Sequence, residues 1–284
     1  SAFNLSAADQ IALEIHPESA TLKKMKAFAA NGVNWTCVGV QSLDQRVLKS
    51  ARRPQRLLSV KKAVRELRAA VIAGVNLDLI CGLPGQTEER FMADIRAAAA
   101  LRPDEIHLNL FMDTPYTLYA LRGGGKIDSG AVKKAQQAGF NYLRAEGYLR
   151  IDSDAAGLTR LSRNLQTTDL AGKKSILGLG PGAVSRAWGA ARYINTVSWS
   201  TYANDLAAGH PPVKMGVRTT TRDEMIYYAL DKLTYGRLVL GFRAFKEIFG
   251  CDFLRLFPGP ARKLLRAGAE ISARSLKAGP GLWL

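Results

Sequence analysis

A regular alternation of strand-like and helix-like segments in the first half of the chain constrains its fold more than any other feature. Apolar runs that predict strands cover residues 11–15, 34–40, 75–81 and 105–111. Helical patterns lie between and after these runs, at 18–30, 59–73, 87–101 and 131–146. Strands separated by helices at this spacing predict βαβ units and a parallel sheet. The sequence therefore predicts an α/β fold for this half.

The carboxyl ends of these strands are where we expect a ligand. Right-handed crossovers place all these ends at one edge of the sheet, and α/β proteins bind ligands there. Glu14 and Asp78 interrupt apolar strand patterns. Each is either a ligand contact or a strand-end acid that faces solvent, because an unpaired buried carboxylate is costly. Gln41 follows a strand directly and Arg53 lies in the basic loop 51–55, so both are further candidates.

The second half of the chain has a different pattern. From Tyr148 onward the predicted elements are shorter, with one helical region at 222–233. The glycine-rich run 178–182 predicts a tight turn, since it lacks the strand and helix that flank a dinucleotide-binding loop. Three glycines at 123–125 predict a hinge. We therefore predict a larger domain at 1–147 and a smaller C-terminal α+β lobe at 148–284.

Charge and cysteine content narrow the classes of function. The chain has 40 lysines and arginines against 24 acidic residues, a net charge of +16 that favours anionic partners. The basic residues follow helical faces without a nucleic-acid-binding motif, so solvated surface is the simpler interpretation. No apolar stretch is long enough to cross a membrane. The three cysteines, Cys37, Cys81 and Cys251, are too far apart for a local zinc ribbon, and a reduced cytoplasmic location is expected.

A set of motifs, taken in order, is similar to those of one known family. They are LEIHP at 13–17, GVQSLD at 39–44, Arg53 and DLICGLPGQT at 78–87. Together they resemble the radical SAM family of oxygen-independent coproporphyrinogen III oxidases, which includes heme-chaperone and methyltransferase relatives. RNLQ at 163–166 and GLGPGAVS at 178–185 extend the likeness more loosely into the second half.

The resemblance implies a partial (βα) barrel of radical SAM type, with about four parallel strands present, that binds S-adenosylmethionine (SAM) beside a 4Fe–4S cluster. Glu14, Gln41, Arg53 and Asp78 fall where that family contacts SAM. A carboxylate suits the amino group or ribose hydroxyls of SAM, and a guanidinium suits its carboxylate. In the intact family-type enzyme, the cluster splits SAM, and the radical formed takes a hydrogen from a propionate that becomes a vinyl group.

The chain also departs from the family pattern. The family carries a CxxxCxxC loop after its first barrel strand, and the cysteine spacing here cannot replace it. We therefore expect no metal ligands in this chain and no activity from it alone. The start at Ser1 without methionine favours a fragment over a natural cluster-less protein. A barrel that lacks strands has an open edge, so either pairing with a second copy or compensation by the C-terminal lobe is expected.

The resulting hypothesis is the SAM-binding portion of a radical SAM oxidoreductase of porphyrin biosynthesis. It implies a porphyrinogen-like anionic substrate and, for the intact enzyme, an electron donor; no catalytic residue is identified. One alternative is a radical SAM methyltransferase that acts on heme or a natural product. The other is a non-catalytic heme carrier of the same fold, for which His16 and His107 are the axial-ligand candidates near the barrel.

Overall fold

The computed structural model describes residues 8, 10–112, 118–121, 123–124, 127–151, 154–158, 175–234 and 239–278. The RNLQ motif at 163–166 lies outside the described residues, as do Gly125 of the predicted hinge and residues 279–284. The chain divides into two compact units, Ser1–Arg163 and Asn164–Leu284. Each is described by itself below.

The first unit is built on a six-stranded sheet with the strand order β1-β2-β3-β4-β6-β5. The first four strands are parallel, and the last two pair antiparallel at one end. This confirms the predicted α/β fold with four parallel strands. The strands are β1 (Ala12–Ile15), β2 (Trp35–Gln41), β3 (Gly74–Cys81), β4 (Glu105–Leu110), β5 (Leu149–Arg150) and β6 (Ala155–Gly157).

The helices of this unit connect the parallel strands and follow the last of them. Several begin at a residue whose side chain accepts a hydrogen bond from the first turn, as Thr21, Asp44, Thr87 and Asp128 do. A short 3-10 turn at Pro17–Ser19 precedes the first helix. The helices are α1 (Leu22–Ala30), α2 (Gln45–Ser50), α3 (Leu57–Ala69), α4 (Glu88–Ala99), α5 (Leu118–Leu121) and α6 (Ser129–Ala145).

The main hydrophobic core lies between the helices and one face of the sheet. Val38, Leu77 and Ile106 are register partners on neighbouring strands and are fully buried. Buried residues of α3, α4 and α6 belong to the same cluster, among them Leu67 and Ile95. Because successive strand residues point to opposite faces, this packing directs the intervening strand residues to the other face of the sheet.

The second unit contains two small antiparallel sheets and five helices among its described residues. One sheet has the strand order β7-β8-β9 and the other β10-β12-β11, in agreement with the predicted α+β character. The strands are β7 (Val184–Ala187), β8 (Ala191–Asn195), β9 (Val213–Arg218), β10 (Val239–Gly241), β11 (Glu270–Ile271) and β12 (Ser275–Lys277). The helices are α7 (Trp199–Ala207), α8 (Thr221–Thr234), α9 (Phe242–Phe249), α10 (Phe253–Leu256) and α11 (Pro258–Arg266).

The boundary between the units differs from the one predicted at 147/148. The short strands β5 and β6 follow that boundary but pair with β4 of the first sheet, so they extend the first unit to Arg163. The glycine-rich run at 178–182 forms a turn before β7, with a positive φ at Gly180 and Gly182. No helix in the described ranges is long and apolar enough to cross a membrane.

Candidate functional site

The sheet face opposite the main core carries polar side chains at alternate strand positions. Register pairing across the four parallel strands aligns these side chains in two adjacent rows. One row contains Glu14, Cys37, Asn76 and Glu105, and the next contains Gly39, Asp78 and His107. The two predicted acids, Glu14 and Asp78, therefore share one face, which we call the polar face.

Asp78 is held by a hydrogen bond from its own strand and by an ion-pair contact with the neighbouring strand. The Asn76 Nδ2 donates to Asp78 Oδ1 at 2.7 Å, and His107 Nδ1 lies 3.3 Å from the same oxygen. Among the described residues, Asp78 Oδ2 has no hydrogen-bond partner. The carboxylate is thus fixed through one oxygen, and the other oxygen is available to a ligand.

His107 links Asp78 to a second, deeply buried acid. Its Nε2 lies 3.2 Å from Glu105 Oε2, and the Glu105 side chain is only 1% exposed. Burial raises the pKa of Glu105. Burial alone would lower the pKa of His107, but the hydrogen bond to Glu105 and the charge of Asp78 outweigh it and raise that pKa.

Glu14 lies on β1, the edge strand of the sheet, and its side chain reaches solvent. Partial burial against the sheet and the nearby Asp78 carboxylate raise the pKa of Glu14. Glu14 is therefore accessible to solvent and close enough to Asp78 for the two carboxylates to interact. A residue that contacts a ligand together with Asp78 would need both properties.

Gln41 and Arg53 reach the polar face above Gly39. A Cβ added to Gly39 would lie 3.1 Å from Gln41 Nε2 and 3.2 Å from Arg53 Nη2. The ladder between β2 and β3 is irregular between Gly39 and Gln41, and Gln41 has a φ of 65°. The guanidinium of Arg53 also donates to the Gly39 carbonyl and, through Nε, to Gln55 Oε1 at 3.2 Å. Because Asp78 is the register partner of Gly39, three of the predicted site residues, Gln41, Arg53 and Asp78, lie close together beside Gly39.

Two buried polar residues that sequence reasoning missed support this arrangement. Gln55 Nε2 donates to the Val40 carbonyl at 2.8 Å and so fixes the loop that carries Arg53. Asp94 of α4 accepts from Ser42 Oγ at 2.6 Å and from the Leu43 backbone N–H at 2.9 Å. The signal for Asp94 is its position on the buried face of its helix, where an isolated acid needs partners.

Gln86 extends this support to the loop that follows β3. It accepts from the Gly82 N–H at 2.8 Å and donates to the Ile80 carbonyl at 3.1 Å. It also donates to Asp94 at 3.4 Å, so one buried carboxylate connects the loops after β2 and β3. These two loops directly follow Gln41, the last residue of β2, and Cys81, the last residue of β3.

The cysteines do not fit an iron–sulfur cluster. Cys37 lies on the polar face, Cys81 packs on the opposite face with Sγ 3.4 Å from the Val132 carbonyl, and Cys251 belongs to the second unit. Burial raises the pKa of Cys37 and of Cys81 to about 12. No group of three metal-ligating side chains occurs in the described part of the chain.

Of the two histidines of the heme-carrier hypothesis, His107 has both ring nitrogens engaged and His16 has one. Both ring nitrogens of His107 face carboxylates. The Nδ1 of His16 accepts from the Glu18 backbone N–H at 3.2 Å. The geometry of His107 leaves no nitrogen directed at a heme iron, which disfavours His107 as an axial ligand.

A groove of about 890 Å³ opens beside Arg53. Its lining includes the basic side chains Lys49, Arg52 and Arg56, with Glu18 as the acidic member. The Glu18 carboxylate already accepts a hydrogen bond from the Arg56 backbone N–H at 3.3 Å. The excess of cations makes this groove suited to an anionic group.

Comparison with known proteins finds several similar proteins that share one enzyme name. Residues 5–98 match the family model described as the Radical SAM superfamily. An oxygen-independent coproporphyrinogen III oxidase of Helicobacter pylori is 27% identical over 278 residues, which cover 92% of this chain and 60% of the relative. The enzyme of that name from Bradyrhizobium diazoefficiens is 30% identical over 241 residues, covering 79% and 53%. The chain spans little more than half the length of these relatives.

The solved structure of coproporphyrinogen III oxidase from Escherichia coli shares the fold. It superimposes with a TM-score of 0.76 at 20% identity, over 95% of this chain and 66% of that chain. The predicted α/β architecture of radical SAM type is thereby confirmed. The chain is thus similar in sequence to oxygen-independent coproporphyrinogen III oxidases over most of its length, and its residues 5–98 match the model of the Radical SAM superfamily.

Proposed function

We propose that this chain binds SAM at the polar face, with Glu14, Gln41, Arg53 and Asp78 as its contacts. One observation carries the proposal: Gln41 Nε2 and Arg53 Nη2 meet over Gly39, the register partner of Asp78. Residues from one loop and three strands thus converge toward the carboxyl ends of parallel strands, where α/β proteins bind ligands.

The residue types match the polar groups of SAM. The free Oδ2 of Asp78 and the accessible Glu14 carboxylate suit an ammonium group or a pair of ribose hydroxyls. The Arg53 guanidinium suits the SAM carboxylate, and the Gln41 amide can donate to or accept from the same ligand. In an intact enzyme of the resembled type, SAM would supply the 5′-deoxyadenosyl radical that abstracts a hydrogen atom, and a reduced 4Fe–4S cluster would supply the electron that cleaves SAM.

We infer that the intact protein is an oxidoreductase of the oxygen-independent coproporphyrinogen III oxidase type that acts on a porphyrinogen-like polycarboxylate and needs an electron donor. Support comes from relatives of that name that match about nine-tenths of the chain. The 4Fe–4S cluster of that enzyme type would need cysteines other than Cys37, Cys81 and Cys251, because these three lie on different faces or in different units.

Calorimetric titration of SAM into the 284-residue chain tests the binding proposal. The expected result is one saturable site, with affinity at least about tenfold weaker in Asp78→Asn and in Arg53→Gln, since each loses a charge-assisted hydrogen bond. Glu247→Gln and Arg243→Gln are matched controls, because these two residues form an exposed pair in the second unit. Absence of saturable binding, or equal affinity in all four variants, would refute the proposal.

Fluorescence titration with coproporphyrin III, the oxidised tetracarboxylate analogue, tests the proposed substrate class. The basic groove beside Arg53 offers Lys49 and Arg52 to its carboxylates. We expect binding that weakens several-fold in the double variant Lys49→Gln/Arg52→Gln and falls with rising salt. Equal binding of the uncharged tetramethyl ester would contradict recognition through the carboxylates.

A further inference from the structure

His107 has a carboxylate at each of its two ring nitrogens. Nδ1 lies 3.3 Å from Asp78 Oδ1, and Nε2 lies 3.2 Å from Glu105 Oε2. The histidine side chain is 12% exposed and that of Glu105 is 1% exposed, so water cannot readily replace either contact. The second oxygen of Glu105, Oε1, is buried and has no hydrogen-bond partner within the described residues.

This geometry bears on the protonation of the ring, because each nitrogen faces a carboxylate oxygen, one in a hydrogen bond and one in an ion-pair contact. A neutral imidazole has one N–H, and an ionised carboxylate can only accept hydrogen bonds. A neutral ring would therefore direct the lone pair of its second nitrogen at a carboxylate. An imidazolium removes that repulsion, because it presents an N–H toward each acid and neutralises one of their charges.

The surroundings of His107 favour the positive charge. Asp78 on β3 and Glu105 on β4 contact the ring, and Asp154, just before β6, acts on it electrostatically. Glu14 on β1 also interacts with it, and the Cys37 thiol on β2 lies in the same field without a charge of its own. An imidazolium in this position is the counter-ion of an otherwise acidic sheet face.

We propose that His107 is kept as an imidazolium by Asp78 and Glu105 and that it is a positioning residue for Asp78. Together with Asn76 Nδ2 it binds Oδ1 of Asp78 and so directs Oδ2 of that carboxylate at the ligand. Glu105 acts one step further from the ligand and holds the ring in place through Nε2. The ligand-directed part of this inference rests on the proposed binding of SAM.

Nitrogen-15 spectra of the imidazole rings test the charge of His107 directly and need no ligand. The chain has three histidines, so single His→Gln variants assign every ring. We expect both His107 nitrogens to show imidazolium shifts near neutral pH, and His107 to titrate at higher pH than His16. In Glu105→Gln the His107 titration moves to lower pH. A neutral His107 ring in the wild-type chain at neutral pH would overturn the proposal.

A double-mutant cycle with SAM tests the positioning role. His107→Gln is expected to weaken SAM binding about tenfold in the wild-type background and to have almost no effect in Asp78→Asn, because its action passes through Asp78. His210→Gln, in the second unit, is the matched control. Unchanged affinity in His107→Gln, or the same loss in both backgrounds, overturns the positioning role even if SAM binds.

The two experiments separate failure of this inference from failure of the proposed function. If the wild-type chain binds no SAM, the proposed function fails and so does the ligand-directed role of His107. The ring spectra then still decide whether Asp78 and Glu105 hold an imidazolium. If SAM binds and the cycle shows no coupling, only the inference fails.

Discussion

At the scale of single residues, the candidate site depends on buried polar side chains that are not among the proposed ligand contacts. Asp94 of α4 accepts hydrogen bonds from Ser42, Leu43 and Gln86, and these bonds fix the loops after β2 and β3. Burial raises the pKa of Asp94, although the hydrogen bonds from Ser42 and Leu43 oppose the rise. His107 acts in the same way, because it is not a proposed ligand contact but contacts the Asp78 carboxylate and holds its orientation.

Removing the Asp94 carboxylate is expected to destabilise the first unit. In Asp94→Ala the Ser42 hydroxyl and the Leu43 N–H lose their acceptor in a buried setting, and we expect the free energy of unfolding to fall by about 3 kcal/mol. Chemical denaturation followed by circular dichroism measures it. Glu88→Ala, on the exposed first turn of the same helix, should cost less than about 1 kcal/mol. Equal losses in the two variants would show that the Asp94 bonds do not stabilise the loops.

The stability contributed by His107 should depend on pH. Its pKa in the folded chain lies above the ordinary value of 6.5, so its stabilising contribution is complete below about pH 6.5 and is lost as the pH rises through the folded value. The difference in unfolding free energy between the wild-type chain and His107→Gln is therefore expected to be larger at pH 6 than at about pH 9. A difference that grows with pH would contradict the raised pKa.

At the scale of elements, close packing between β2 and β3 sets the register that aligns the polar face. Trp35 begins β2 and lies against Gly74, its register partner at the start of β3. A Cβ on Gly74 would lie 1.8 Å from a Trp35 ring carbon. The glycine therefore permits the indole to pack at the strand ends, and the downstream pairs, including Gly39 with Asp78, follow in register.

Gly74→Ala is expected to be strongly destabilising because the indole must move. We expect a loss of at least about 2 kcal/mol in the free energy of unfolding, at the upper end of overpacking effects. Gly259→Ala is the matched control, since it lies in helix α11 with no atom within 4 Å of the added Cβ. That substitution should be neutral or stabilising, because alanine favours a helix over glycine. Tolerance of Gly74→Ala would show that Trp35 is not confined by β3.

The predictability of the site from sequence differs between strand residues and loop residues. Glu14 and Asp78 could be named because they interrupt apolar strand patterns, and the strands formed where the patterns predict them. The reach of Gln41 depends on a ladder irregularity and a positive φ, which no periodicity encodes. Arg53 depends on the buried Gln55 in an irregular loop, so residue spacing alone could not place its guanidinium.

His107 shows the same limit across strands. Its sequence context suggested only an axial heme ligand, whereas its actual partners come from the 78–107 register pair and from Glu105 on the same strand face. Likewise, the predicted domain boundary at 147/148 missed β5 and β6. Strand β5 is two residues long and β6 is three. They form because they pair beside β4, not because of a local preference for strand structure.

At the scale of the whole molecule, the charge of the polar face is opposite to that of the chain. The chain has a net charge of +16, yet the face that carries the candidate site holds Glu14, Asp78 and Glu105 around one histidine. The second unit has its own buried charge cluster, in which Glu224 binds Arg186 at 2.6 Å and Arg192 at 3.2 Å. Both units therefore contain buried acids that need a basic partner.

Glu224→Ala is expected to destabilise the second unit by about 3–5 kcal/mol, because it removes the carboxylate that contacts the buried Arg186 guanidinium. Hydrogen exchange of backbone amides in residues 175–278 measures the loss. Glu247→Ala removes an exposed partner of Arg243 and should cost less than about 1 kcal/mol. Similar exchange rates in the two variants would contradict a structural role for the buried cluster.

The central claim, that SAM binds at the polar face, is tested most directly by mapping amide chemical-shift changes as SAM is added to the nitrogen-15-labelled chain. The account predicts saturable changes concentrated at residues 14–16, 39–42, 53 and 76–82, where the candidate contacts and their supporting loops lie. Changes confined to residues 175–278, or none at millimolar SAM, would contradict it.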